Sequence, residues 1–323
     1  MRRVWRFGML LLALSAVSPL LAQADLSGNW SALQHQDWME RGPGPDPADF
    51  LGTPLNEQAL AKALAYSISQ LSMPEHQCEL YPPTYMLIGP MSLKIRAIVD
   101  PTTDKVVDWR MSGAADMAVT NVWMDGRPAP SENAPHAFEG FTTGVWEGNT
   151  LTTRTIDIKA GNLRRNGVPI SDRAVITRHF TRHGNLLTVE MFVEDPVYLT
   201  EPYVMSRTFE LNTAAPGADE PYHCSPEPEV ARLGETGVVP HILPGENTFP
   251  EEFSKMYHLP VDVVLGGAAE MYPEFRKQLK DKYVPPDKCV RYCCGWGGGS
   301  ASDEIKCIGV GFADAEHPFG RRR

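Results

Sequence analysis

Two arginines stand where a charged side chain is out of place. Read with the period of two of a β-strand, Arg207 falls on the face of Tyr203, Met205 and Phe209, and Arg178 on the face of Ala174, Ile176 and Phe180. A guanidinium on an apolar face needs a counter-charge, because an unpaired buried charge is costly. An interior acid is one such partner. An anionic ligand is the other, since the planar fork of arginine matches carboxylate or phosphate. Trp109, Trp123, Trp146 and Tyr203 lie in the same stretch and either line an apolar cavity or fill it. Together with Arg178 and Arg207 they are the candidate ligand-binding set.

The candidates for acid and base chemistry are Glu147, Asp195 and His179, side chains that would serve a lyase, isomerase or hydrolase. Glu147 and Asp195 each precede a turn residue, Gly148 and Pro196, so turn stabilisation is the competing role. His179 faces away from Arg178 on a regular strand and belongs to the surface. Stronger catalytic patterns fail on context. Residues 140–144 copy the spacing of a nucleophile elbow with threonine, but a strand follows where that geometry needs a helix. His179 and His183 have the helical zinc spacing, yet on a strand they stand roughly 13 Å apart at about 3.3 Å per residue. Cys289, Cys293, Cys294 and Cys307 depart from the usual zinc spacings. No metal and no cofactor is expected.

The elements that must position these residues form a ladder over residues 92–210. Leu93, Ile95, Ala97 and Val99 alternate with Ser92, Lys94 and Arg96; Leu187, Val189, Met191 and Val193 alternate with polar residues just after the turn Arg182-His183-Gly184-Asn185. Further turns fall at residues 100–104, 124–127 and 147–149. About eight to ten strands result, and their meandering order favours an antiparallel barrel closed on itself. Residues 41–52 read as a loop, followed by a helix near residues 54–71 with a Thr53 cap and a stripe of Leu60, Leu64, Ile68 and Leu71. Such a helix in a β-rich chain covers a barrel mouth or a sheet edge. Beyond residue 212 the composition turns to Pro, Gly and acidic residues, with one helical stretch around residues 271–283. Residues 213–323 are expected to be an irregular, cysteine-rich extension that wraps the barrel.

Four motifs occur in order within this frame: Trp123-Met124-Asp125-Gly126-Arg127-Pro128; Gly144-Val145-Trp146-Glu147-Gly148-Asn149-Thr150-Leu151; Ser171-Asp172-Arg173; and Glu194-Asp195-Pro196. On these residues the chain resembles a family of exported bacterial proteins of uncharacterised activity, whose pattern is D-G-R, G-x-W-E-G-D-T-L, E-R-F and D-P. The resemblance spans about residues 78–224 and implies a lipocalin-like barrel with no assigned reaction. Asn149 replaces the usual Asp, and Arg178-His179-Phe180 replaces E-R-F, which puts His179 and an arginine where that family has other charges.

Residues 1–24 have the form of a secretory signal: Arg2, Arg3 and Arg6, an apolar run over residues 7–21, and Ala22-Gln23-Ala24 before Asp25. That run is too short for a membrane span. Cleavage removes three arginines and no acid, taking the formal charge from −10 to −13. An acidic exported chain of this kind is a poor partner for nucleic acid or anionic lipid. Periplasmic or secreted localisation makes Cys78, Cys224, Cys289, Cys293, Cys294 and Cys307 disulfide candidates, with the pairing open. The sequence therefore points to an exported barrel, residues 25–212, that binds a small, largely apolar molecule, with an anionic group where an arginine meets it. The alternative is a barrel enzyme acting on such a molecule by acid/base chemistry. Neither reading identifies a protein partner.

Overall fold

The computed structural model describes residues 24–33, 49–50, 52–66, 76–88, 92–113, 118–214, 242–243 and 245–280. Residues 1–23 of the expected signal segment, the Ile68 and Leu71 helical positions and all cysteines but Cys78 lie outside these residues.

Nine strands close into a barrel: β1 (Gly28–Ala32), β2 (Leu93–Val99), β3 (Val106–Ser112), β4 (Thr120–Trp123), β5 (Phe141–Glu147), β6 (Thr150–Ile156), β9 (Val175–His183), β10 (Leu186–Glu194) and β11 (Tyr203–Leu211). The ring order is β1-β11-β10-β9-β6-β5-β4-β3-β2. A two-stranded ribbon, β7 (Gly161–Asn162) with β8 (Pro169–Ile170), stands apart. The barrel is not antiparallel throughout. β4 and β5 run parallel, with Val122 opposite Thr142 and Trp123 opposite Thr143. Topology requires one such seam. Each antiparallel pairing reverses strand direction, so a closed ring admits only an even number of them, and nine strands leave one pairing over. Residues 124–140 make the long return that a parallel pair needs, here without a helix.

The tight hairpins sit at one end of the barrel. Gly148-Asn149 joins β5 to β6 and Gly184-Asn185 joins β9 to β10, each a two-residue loop with its glycine at positive φ, 63° and 60°. The chain covers the other end. Helix α1 (Glu57–Leu64) starts from Asn56, whose side chain accepts from the Ala59 amide at 2.9 Å while its Nδ2 donates to the Val197 carbonyl at 2.8 Å. Thr53 is therefore not the cap. Its hydroxyl donates to the Phe50 carbonyl and accepts from Arg164 Nη1. Leu55 bridges Leu199 beside it, and Ala59 and Ala63 are the buried residues of α1.

Helix α2 (Tyr85–Ile88) is a single turn with all four side chains buried in the same core as the inward strand residues Trp30, Ile95, Trp109, Phe180, Val189 and Phe209. The barrel interior is thus packed around a short helical plug. Beyond the barrel, α3 (Phe249–Tyr257), α4 (Val261–Val264), a 3-10 turn (Ala268–Met271) and α5 (Pro273–Lys280) make this part of the extension helical rather than irregular. It docks beside α1: Asn247 Nδ2 donates to the Leu64 carbonyl at 2.9 Å, and the Tyr272 hydroxyl donates to the Glu201 carboxylate. Among the described residues no helix is long and apolar enough to cross a membrane.

Candidate functional site in the barrel lumen

Arg178 lies at the middle of β9, opposite Met191 on one neighbour and Thr153 on the other. Ile176 and Phe180 flank it on the inner face, and all three are fully buried. Its Nη2 donates to Thr155 Oγ1 at 3.3 Å, and its Nη1 reaches only the Met86 thioether at 3.9 Å. Its Nε is buried with no hydrogen-bond partner. No carboxylate among the described residues pairs with it. Burial alone pushes this guanidinium from its usual range down to about 10. Behind Thr155, the Thr142 hydroxyl stands at 2.7 Å, so a patch of buried hydroxyls borders the charge on the β5–β6 wall.

Arg207 is also inside, opposite Val189 and 5.2 Å above the Phe209 ring. Its Nη1 donates to the Leu87 carbonyl at 3.2 Å. The two arginines thus hold successive residues of α2 from opposite sides of β10, one through a side chain and the other through the backbone. Arg164 is a third buried guanidinium, which sequence reasoning did not find. It sits on the β7–β8 turn, in a run with no strand period to show which way it points.

The aromatic candidates divide. Trp109 is buried in the lumen, its Nε1 has no hydrogen-bond partner, and its ring meets Trp146 edge-on at 6.4 Å between centroids. Trp146 and Tyr203 are half-buried and pack against the core. Trp123 does not line the interior: Val122 and Thr120 take the inward positions of β4, and Trp123 lies on the outer wall. There Arg127 stacks over it at 3.6 Å while pairing with Asp125 at 2.6 Å. The Arg127 hydrogen bonds hold the Asp125 carboxyl down at about 2. The Asp-Gly-Arg motif therefore packs on the outer face of Trp123 at the end of β4.

The acid/base candidates lie outside the lumen. Glu147 is exposed at the end of β5 and accepts from the Thr152 hydroxyl at 2.9 Å; the same hydroxyl stands 3.0 Å from His179 Nδ1. If Thr152 spends its proton on Glu147, its oxygen accepts from His179 Nδ1–H. Phe192 meets the His179 ring edge-on at 5.7 Å. Asp195 is buried elsewhere and fully engaged, accepting from the Ser171 hydroxyl and from the amides of Ser171, Val197 and Tyr198.

One further acid, Asp108, was not singled out by sequence. It is buried on the outer side of β3 opposite Trp123, and its Oδ1 has no hydrogen-bond partner. Burial lifts its carboxyl to about 6, against the smaller opposing pull of the Val122 amide and of Arg110 and Arg127. Cys78, the one described cysteine, is not a free thiol. No group of residues that would hold a metal ion occurs among the described residues.

No protein-family model, curated protein or solved structure matches this chain.

Proposed function

We propose that the protein is an exported barrel that binds a small, largely apolar molecule carrying an anionic group, with Arg178 as the anchor for that group. One observation carries the reading: a fully buried guanidinium in an apolar lumen, with no carboxylate beside it among the described residues and its Nε–H without a hydrogen-bond partner. Keeping such a charge costs stability in the ligand-free protein, and an anionic ligand would offset that cost. The motif resemblance to exported lipocalin-like proteins and the signal-like residues 1–24 support the same reading. In an oxidising compartment Cys78 would pair with one of Cys224, Cys289, Cys293, Cys294 and Cys307.

Native mass spectrometry of protein recovered from its own host tests this. One bound small acid, released intact on denaturation and unchanged by long incubation, is the expected result. Protein that always flies at its bare mass would argue against the reading.

The enzyme alternative draws on a different observation, the Glu147–Thr152–His179 chain, which ties an acid and a base through one hydroxyl. Conversion of the bound molecule that stops in a His179→Ala variant would favour it.

A further inference from the structure

Two buried arginines reach helix α2 in the lumen, through contacts of unequal quality. Arg207 donates to a backbone carbonyl, a good acceptor, at 3.2 Å. Arg178 is offered a thioether at 3.9 Å, a weak acceptor that carries no charge. The side chain of Met86 thus occupies the space in front of Arg178, a lumenal guanidinium with no carboxylate beside it among the described residues. Tyr85, Leu87 and Ile88 are buried against the core, and Thr84 Oγ1 at the start of the turn is buried without a hydrogen-bond partner. Long, unbranched Met adapts to whatever packs beside it.

We infer that the position of the Met86 thioether is the seat of a monoanionic headgroup, a carboxylate or sulfonate, and that the ligand's apolar part takes the place of α2 side chains as the helix draws back from Arg178. At the seat itself the Arg178 guanidinium balances one negative charge, while Arg207 is directed to the Leu87 carbonyl, which disfavours a phosphate dianion there. The buried hydroxyls of Thr155 and Thr142 extend the polar surface of the seat by a second and a third group. This inference rests on the lumenal binding reading above and adds the charge class of the ligand and the element that yields to it.

Titration of the full chain with dodecanoate, and with dodecanol as its uncharged analogue, tests the inference in wild type, Met86→Glu and Met86→Ala. Wild type should bind dodecanoate at least tenfold more tightly than dodecanol. Met86→Glu places a carboxylate of the chain itself in the seat, so it should melt at a higher temperature and bind dodecanoate at least tenfold more weakly. Met86→Ala should bind dodecanoate more tightly than wild type, because less must be displaced. Dodecanoate binding undiminished in Met86→Glu would overturn the inference while leaving a lumenal site intact. Should that variant not fold, Met86→Ala decides: unchanged or weaker binding overturns the inference. Wild type that binds neither compound would remove the binding reading itself.

Discussion

The guanidinium of Arg178 faces the sulfur of Met86 at 3.9 Å in a space closed to solvent, a full charge set against a side chain that cannot neutralise it. Arrangements of this kind cost stability. The hydroxyl of Thr155 supplies one hydrogen bond, and burial lowers the guanidinium pKa to about 10.

Asp108 should make stability depend on pH in the mildly acidic range. In the folded protein it holds its proton up to about pH 6, whereas in the unfolded chain it releases it near about pH 4. Its contribution is thus favourable below about pH 4 and is lost as pH rises through about 6. Asp108→Asn should flatten urea-denaturation stability across this window and raise it at about pH 7 by about 1–2 kcal/mol, a figure reduced to allow for partial solvent screening. Unchanged pH dependence in the variant would show that other groups set it.

Asp195→Ala should be among the more damaging substitutions outside the lumen. It leaves the buried Ser171 amide and hydroxyl without their acceptor and frees the amides that open the loop after β10. A loss of about 3 kcal/mol in denaturant unfolding is expected, with strand content unchanged by circular dichroism. A loss below about 1 kcal/mol would mean that the loop re-forms without its anchor.

Gly144 marks the parallel seam by close packing rather than by backbone conformation. A Cβ there would stand 2.7 Å from both Met124 Sδ and Val122 Cγ1 and 3.2 Å from Leu151 Cδ1. Gly144→Ala should destabilise the barrel by about 1–3 kcal/mol, as overpacking does. If Met124 swings aside freely, thermal denaturation will show little change.

The strand period is what made Arg178 and Arg207 legible as interior residues. On a half-buried strand one face is the core, and the neighbours at every second position name it. The same rule fails to reveal Arg164, which sits in a turn, and Asp108, which is buried on the outer wall, where the period predicts exposure. Trp123 reads as lining because it is aromatic, yet its parity on β4 faces out, where Arg127 folds over it. The parallel seam is invisible locally, since it follows from the number of strands in a closed ring and not from any residue. Helix α2 escaped notice for a similar reason: four apolar residues after two prolines carry no periodic signal, and their burial comes entirely from the barrel around them. The start of α1 was displaced because Thr53 and Asn56 are both good caps, and the contact of Asn56 with the Val197 carbonyl selects the second.

The most direct test of the central claim is dodecanoate affinity and thermal stability measured together for Arg178→Met. If Arg178 anchors an anionic ligand, affinity should fall by about 1.5–3 kcal/mol, roughly tenfold to somewhat over a hundredfold, while the ligand-free variant melts no lower than wild type because no acid is stranded. Undiminished affinity, or a loss of folding stability of about 3–5 kcal/mol that exposes an interior acid as its true partner, would contradict the account.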